Sequence, residues 1–159
     1  MNTGKVFEQD FKQSIPEEIF FYRFKDSSNQ WGSNNKVRFT PSNICDCLLY
    51  DGDNLYLLEL KSCKGKSLPL NNIREHQIDD LYTSSNYKNI IAGFVINFSE
   101  VGRCFFIDTL RLKDFIAKKD RKSIPINYLE EFGLEINCQK KITHYRYDVE
   151  GFIKGVVRY

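Results

Sequence analysis

The sequence predicts a single α/β or α+β domain, residues 1–159, built around a mixed β-sheet. Three observations favour this fold class. Ile90–Phe98 is an almost unbroken apolar run, which is typical of a strand covered on both faces. Leu55–Ser62 (LYLLELKS) is a second leucine-rich strand, and segments with helical periodicity lie before and after these two strands. The length of 159 residues is enough to bury one substantial core.

The N-terminal segments are predicted to form a helix, a strand and a loop. Thr3–Gln13 carries Val6, Phe7 and Phe11 at helical spacing, and Pro16 ends this periodicity. Ile19–Lys25 is rich in aromatic residues and favours a strand. The polar segment Ser27–Asn35 is expected to be an exposed loop.

A β-hairpin is predicted in the next part of the chain. Ile44–Tyr50 and Leu55–Lys61 are its two strands, and Gly52-Asp53 is a two-residue turn signal between them. Side chains two residues apart on a strand point to the same face. Leu58 and Leu60 therefore share one face, and Glu59 and Lys61 share the other.

The remaining segments complete the predicted domain. Ser62–Leu70 is a basic loop closed by Pro69, and Asn71 or Asn72 is expected to cap a helix over Ile73–Ser85. The C-terminal part is predicted to contain a strand over Gly102–Asp108 and helices over Leu110–Lys119, Pro125–Phe132 and Tyr145–Val156.

Composition excludes several classes of protein. The formal net charge is +2, so affinity for nucleic acid has to come from a local basic surface. The five cysteines and two histidines show no zinc-ligand spacing, which favours reduced thiols in a cytosolic protein. The chain contains no apolar run of membrane-spanning length, and its N-terminus lacks the apolar core of a signal peptide. A soluble intracellular protein, without a membrane partner, is expected.

Two carboxylates are predicted to face each other across the hairpin. With Gly52-Asp53 at the turn, residue numbers of cross-strand partners sum to 105, so Asp46 lies opposite Glu59 and Lys61 follows beside them. Facing like charges destabilise a sheet. A divalent cation such as Mg²⁺ between the carboxylates would remove this repulsion, and Lys61 would then help to orient a water and stabilise a phosphate.

The register leaves an alternative open. A three-residue turn would place Asp46 and Glu59 on opposite faces, and the three charges could also form a solvated salt-bridge cluster on an exposed face. Spacing alone does not separate these interpretations.

The same residues carry a resemblance to a nuclease family. Asp46, followed after twelve residues by Glu59-Leu60-Lys61, resembles the PD-(D/E)xK nuclease signature. The surrounding segments are more specific. Thr40–Asp46, Lys66–Leu70 and Glu75–Ile78 together resemble the RecU-type Holliday-junction resolvases of low-GC Gram-positive bacteria and their phages, and residues 121–125 and 145–153 match that family more loosely.

The resemblance implies a restriction-endonuclease-like mixed sheet flanked by helices, and a site that uses Mg²⁺, for which Mn²⁺ is expected to substitute. Asp46 and Glu59 would bind the metal, and Lys61 would assist the attacking water. Gln77 would enter the site from the following helix, and Glu8 would be an additional metal-binding acid. The alternatives are a surface acid for Glu8 and, for Gln77, a hydrogen bond to the preceding loop.

Polar and basic residues near this motif are candidates for DNA binding, although each one alone could be a solvated surface group. They are Ser42, Lys64, Lys66, Arg74, His76, Lys36 and Arg38. The charge runs at residues 118–122 and 140–141 are expected to be solvated, or to make peripheral DNA contacts.

The expected function is metal-dependent cleavage of four-way DNA junctions by a homodimer, because a junction with two-fold symmetry requires two active sites. The chain departs from the family at residues 26–38, which are short and polar where the family has a long basic segment that projects into the junction. A nicking, flap or restriction-like nuclease without junction selectivity is therefore an alternative. A non-catalytic DNA- or protein-binding module on the same fold is another.

Overall fold

The computed structural model describes residues 3–25, 42–118 and 120–159. The helices are α1 (Thr3–Lys12), α2 (Glu75–Ser85), α3 (Thr109–Ala117), α4 (Ile126–Phe132) and α5 (Val149–Val156). The strands are β1 (Phe20–Arg23), β2 (Cys47–Tyr50), β3 (Leu55–Cys63), β4 (Ser67–Pro69), β5 (Ile90–Phe98), β6 (Arg103–Asp108), β7 (Ser123–Pro125), β8 (Leu134–Ile136), β9 (Cys138–Lys141) and β10 (His144–Tyr147). The predicted loop Ser27–Asn35 and the predicted DNA contacts Lys36 and Arg38 lie outside the described residues.

A six-stranded sheet in the order β1-β2-β3-β5-β6-β8 forms the centre of the fold. β3 and β5 run parallel, whereas the other neighbouring strands of this sheet are antiparallel. Two small two-stranded sheets, β4–β7 and β9–β10, lie outside it. The predicted mixed sheet flanked by helices is therefore confirmed.

The two faces of this sheet carry separate hydrophobic cores. On one face, which we call the α2 face, Leu57 packs in a cluster with residues of α2, α3 and α4. On the other, the α1 face, Leu58 packs with residues of α1 and α5. Seven of the nine residues of β5 are buried between the two layers of helices, as its apolar sequence predicts.

The β2–β3 hairpin has the predicted register. Tyr50 pairs with Leu55 and Cys47 pairs with Leu58, so the partner numbers sum to 105. Gly52 at the turn has a φ of +104°, which glycine adopts without strain. The Asp51 carboxylate accepts hydrogen bonds from the backbone N–H groups of Asp53 and Asn54 and stabilises the turn.

The predicted helix over Tyr145–Val156 is wrong in its first part. Residues 144–147 form the edge strand β10, and the helix begins only after Asp148, whose side chain accepts the N–H of Gly151 at 2.9 Å. The backbone N–H of Tyr145 donates to Asp10 of α1, and that of Tyr147 donates to Ser14 just after this helix. These long-range hydrogen bonds favour the extended conformation.

The segment between β3 and α2 also differs from its prediction. Part of the predicted Ser62–Leu70 loop is strand, because β3 extends to Cys63 and β4 pairs with β7. Asn71 and Asn72 lie in a 3-10 turn and do not cap α2. Arg74 occupies the cap position, and its backbone N–H donates to the side chain of Gln77 at 3.1 Å.

No helix in the described ranges is long and apolar enough to cross a membrane.

Candidate active site

A cleft of about 300 Å³ lies where the β2–β3 hairpin opens away from its turn, next to the N-terminus of α2. It brings together six of the twelve candidate site residues that the sequence predicts. The residues that line it are Phe24, Ser42, Asn43, Cys45, Asp46, Glu59, Arg74, His76 and Gln77.

Asp46 lies one residue before β2, where the backbone pairing of the hairpin ends. Its carbonyl oxygen still accepts the N–H of Phe24 at 3.0 Å, so it remains attached to the chain that follows β1. Its Oδ2 atom accepts the N–H of Leu60 at 2.8 Å. The carboxylate therefore takes the place of a backbone acceptor and is held in a defined orientation beside Glu59.

Glu59 is a buried acid on a core strand, with 2% of its surface exposed. Its Oε1 atom lies 2.9 Å from the Lys61 ammonium group and accepts a hydrogen bond from the Gln77 amide. Burial, followed by the negative charge of Asp46, raises the pKa of Glu59 to about 7, although Lys61 and Gln77 act in the opposite direction. The carboxylate repulsion expected from the hairpin register is therefore present.

Gln77 connects the helix to the charged residues. Its Nε2 donates to Glu59, while its Oε1 accepts from the Lys61 ammonium group at 3.3 Å and from the backbone N–H of Arg74 at 3.1 Å. Gln77 therefore lies among the charged residues and also bonds to the residue before its helix, and its catalytic role stays a prediction. These hydrogen bonds make the position of α2 and the orientation of Glu59 interdependent.

Glu8 is placed differently from the other predicted ligands. The helix that carries it packs on the α1 face through Phe7 and Phe11, and its carboxylate forms an ion pair with Arg23 of β1. Within the described ranges, no group of three or more His, Cys, Asp or Glu side chains is arranged to hold a metal. The metal-binding role of Glu8 therefore stays a prediction.

The donor set around the cleft nevertheless fits a hard divalent cation. Mg²⁺ is commonly held by one or two carboxylates, with water and substrate phosphate completing its coordination. Asp46 and Glu59 supply two carboxylates in one cleft, and a cation would offset the repulsion that raises the pKa of Glu59.

The predicted DNA-binding residues fall into two groups. Ser42, Arg74 and His76 line the cleft itself. Lys64 and Lys66 lie in the exposed segment that follows β3, outside the cleft lining.

A second basic segment, which sequence reasoning did not connect to this site, leads into the strand that pairs with β4. The Lys66 carbonyl accepts the N–H of Ile126, and the Lys122 carbonyl accepts the N–H of Leu70, each at 2.9 Å. The antiparallel pairing of β4 with β7 thus places exposed Lys64 and Lys66 at one end of this small sheet, and exposed Arg121 and Lys122 at its other end, beside Leu70. We call Lys64, Lys66, Arg121 and Lys122 the basic strip.

All five cysteines are free thiols, as the sequence predicts. Cys45, which lines the cleft, is buried, and burial together with the charges of Glu59 and Asp46 raises its pKa to about 12. The thiol therefore stays protonated at neutral pH and is neither an activated nucleophile nor a thiolate ligand.

The ion pair of buried Glu59 with half-buried Lys61 next to Asp46, set on a mixed sheet with helices on both faces, is typical of nucleases with the PD-(D/E)xK signature. The family model for recombination protein U matches residues 12–149. The chain belongs to this RecU family, which confirms the resemblance noted in the sequence. Membership in the family supports a nuclease of the Holliday-junction-resolvase type.

The chain is similar to known proteins in sequence and in fold. A SPbeta prophage-derived uncharacterized protein of Bacillus subtilis (strain 168), YotM, is 33% identical over 162 residues, covering 92% of this chain and 82% of that protein. The 1.6 Å structure of Hjc, a Holliday junction resolvase from the archaeal hyperthermophile Archaeoglobus fulgidus, aligns with a TM-score of 0.49 and 15% identity. That alignment covers 74% of this chain and 83% of the Hjc chain.

The raised pKa of Glu59 leads to a stability prediction for the metal-free protein. Between the ordinary glutamate value of 4.5 and about 7, the folded protein holds a proton that the unfolded chain has released. The contribution of Glu59 to the free energy of unfolding therefore falls as pH rises through this window, by on the order of 3 kcal/mol. Glu59→Gln should remove this decrease.

Urea unfolding in EDTA at pH 5.5 and pH 8 measures how the free energy of unfolding changes with pH in wild type and in Glu59→Gln. Glu75→Gln, which neutralises an exposed acid in the first turn of α2, is the matched control and should keep the wild-type pH dependence. Parallel pH profiles for wild type and Glu59→Gln would contradict the prediction.

Proposed function

We propose that the protein is a Mg²⁺-dependent endodeoxyribonuclease that cuts four-way DNA junctions. One observation carries the proposal. A buried glutamate with a pKa of about 7 lies beside a second carboxylate in an open cleft, within 2.9 Å of a lysine ammonium group. Such an arrangement destabilises the metal-free protein and becomes favourable when a divalent cation binds, and Mn²⁺ is expected to substitute for Mg²⁺.

In this proposal Asp46 and Glu59 hold the metal, which supplies an activated water and offsets charge on the phosphate when it is bound. The hydrogen bond from Leu60 keeps the Asp46 carboxylate in place. Gln77 fixes the orientation of Glu59 and positions the Lys61 ammonium group. Lys61 orients the attacking water and stabilises the negative charge that develops on the phosphate.

The DNA-binding surface has two parts in this proposal. Ser42, Arg74 and His76 contact the phosphates of the strand that is cut, since they line the cleft with the carboxylates. The basic strip contacts the backbone of a flanking arm, because phosphate contacts supply most of the affinity and do not require a particular base sequence.

Assembly and origin are part of the same proposal. A junction is cut symmetrically by two active sites related by a two-fold axis, so the active form is a homodimer. The family match and the prophage-derived relative support a phage version that acts in the cytoplasm of the bacterial host during recombination.

The proposal is tested by comparing cleavage of a labelled four-way junction, a flap and plain duplex DNA, each in Mg²⁺, Mn²⁺ and EDTA. We expect the junction to be cut preferentially in Mg²⁺ and in Mn²⁺, and no cutting in EDTA. Full activity in EDTA would refute metal dependence.

A nicking, flap or restriction-like nuclease is the second candidate. It is favoured by the short polar sequence at residues 26–38, where the family has a long basic segment. Equal cleavage of all three substrates would establish this candidate and reject junction selectivity. Binding to DNA without cleavage of any substrate would instead indicate a non-catalytic module.

The basic strip leads to a prediction about salt dependence. Lys66→Ala combined with Lys122→Ala should weaken junction binding and reduce the slope of log affinity against log salt concentration by about 2, one unit for each lost phosphate contact. Binding measured by fluorescence anisotropy between 50 and about 200 mM salt tests this. Lys88→Ala is the control, since this exposed lysine precedes β5 at the opposite end of the sheet. An unchanged slope in the double variant would contradict the contact.

A further inference from the structure

The turn between β9 and β10 has a conformation that the packing of the protein does not explain. Ile142 and Thr143 form this turn, and Ile142 has a φ of +51° with 94% of its surface exposed. A β-branched residue is strained in the left-handed region, and hairpin turns that need a positive φ favour glycine or asparagine. Ile142 therefore has unfavourable backbone strain, and it gains almost no burial in return.

The base of this hairpin is held firmly against the rest of the domain. The Asp10 carboxylate is 1% exposed and accepts the N–H of Tyr145 at 2.8 Å, while its other oxygen lies 2.7 Å from Nδ1 of His144. The ring of Tyr147 packs edge-on against Phe7, with the ring centroids 5.4 Å apart. The turn thus projects from a rigid support.

The hairpin is also strongly basic. Residues 138–147 (CQKKITHYRY) contain two lysines, one arginine and one histidine, and they contain no acid. Lys140, Lys141 and Arg146 are exposed, and none of them forms an ion pair within residues 3–25, 42–118 and 120–159. The apolar tip therefore follows directly after Lys140 and Lys141, and Arg146 lies two residue pairs further along the same hairpin.

We propose that the β9–β10 hairpin is a DNA wedge, with Lys140 and Lys141 on backbone phosphates and Ile142 inserted between neighbouring base pairs. Proteins that bend or open DNA insert side chains of this kind, isoleucine included, between base steps. The insertion costs least where base stacking is already interrupted, as it is at a branch point. The inference rests on the proposed function, and it assigns the branch-recognising element to this turn.

Charge favours DNA over the other possible partners of an exposed isoleucine. The cations of this hairpin complement a polyanion, whereas a single aliphatic side chain buries too little area to hold a second protein chain. Anionic lipid would attract the same charges. Vesicle binding is therefore included as an outcome of the test.

The experiment compares Ile142→Gly with its parent in the inactive Asp46→Asn background. The probe is a four-way junction that carries the fluorescent base 2-aminopurine at the branch point. The fluorescence of this base rises when its stacking on neighbouring bases is broken. We expect the parent to raise the fluorescence and the variant to abolish this rise, with a dissociation constant that is about tenfold larger, in line with the loss of one stacking contact.

Matched variants separate the wedge from effects on folding. Glycine and asparagine tolerate a positive φ, so Ile142→Gly and Ile142→Asn should both fold, and thermal unfolding checks this. Val157→Ala truncates another exposed branched residue at the end of α5 and should behave as the parent.

The outcomes distinguish this inference from the proposed function. Unchanged fluorescence and affinity in both Ile142 variants would overturn the wedge, even if the wild-type protein cuts junctions. A lost fluorescence rise would support the wedge, even if the wild-type protein cuts no DNA and the proposed nuclease fails. Binding to phosphatidylglycerol vesicles that depends on Ile142, without an effect on DNA, would also overturn it.

Discussion

Asp46→Asn should reduce the rate of DNA cleavage by about 10³-fold or more and leave junction binding close to wild type. The amide oxygen of asparagine can still accept the N–H of Leu60, which the Asp46 carboxylate now accepts at 2.8 Å, so the local fold is kept. The negative charge that attracts a divalent cation is lost, however. Cleavage is measured in Mg²⁺, and binding is measured by gel shift in EDTA.

The same variant can be followed without an activity assay. The negative charge of Asp46 is one cause of the raised pKa of Glu59, so removing it should lower that pKa towards its ordinary value. Calorimetric titration with Mn²⁺ should show that wild type binds the ion and that Asp46→Asn binds it at least about tenfold more weakly, because one of two anionic ligands is gone.

Asp53→Asn is the control for Asp46→Asn. Asp53 is an exposed acid in the turn at the far end of the same hairpin, and its substitution should change neither cleavage nor metal binding. Cleavage by Asp46→Asn within about tenfold of wild type would contradict the mechanism, since charge neutralisation at a required ligand has a far larger effect.

Gly93→Ala should destabilise the fold by about 3 kcal/mol or more, an effect in the range of severe overpacking. A Cβ atom at this position would lie 2.4 Å from the backbone oxygen of Ile107 and 2.6 Å from the ring of Phe106. The backbone cannot move aside easily, because β5 is paired with β3 on one side and with β6 on the other. The ring is fully buried and packs against Phe152 with centroids 5.2 Å apart.

Urea unfolding measures this effect, with Gly65→Ala as the control. A Cβ atom on Gly65 would meet nothing within 4 Å, and that substitution should be nearly neutral. A free energy of unfolding for Gly93→Ala within about 1 kcal/mol of wild type would show that β5 and β6 can separate locally. The comparison also tests the close approach of β5 to β6.

The acidic motif was accessible to sequence reasoning because it is local. Asp46, Glu59 and Lys61 lie on two arms of one hairpin, and a two-residue turn sets the register of every pair along it. The period of two then assigns Leu58 to one face and Glu59 to the other. Gln77 required the family resemblance, because its hydrogen bonds to Glu59 and Lys61 depend on how α2 docks against the sheet.

Short strands with distant partners were not accessible in the same way. β7, β8, β9 and β10 have only three or four residues each, too few for a clear alternating pattern. The segment His144–Tyr147 is extended because Asp10 and Ser14, more than 130 residues earlier, accept its N–H groups. The basic strip likewise depends on the pairing of β4 with β7.

The amino-acid sequence determined the mixed sheet, the hairpin register and the family, because each of these follows from patterns within one or two neighbouring elements. The tertiary structure decided how deeply Glu59 is buried, which residues hold it, and that Glu8 pairs with Arg23. It also decided that Ile142 projects from a rigid basic hairpin. These properties arise from contacts between segments far apart in the chain, and local periodicity carries no information about such contacts.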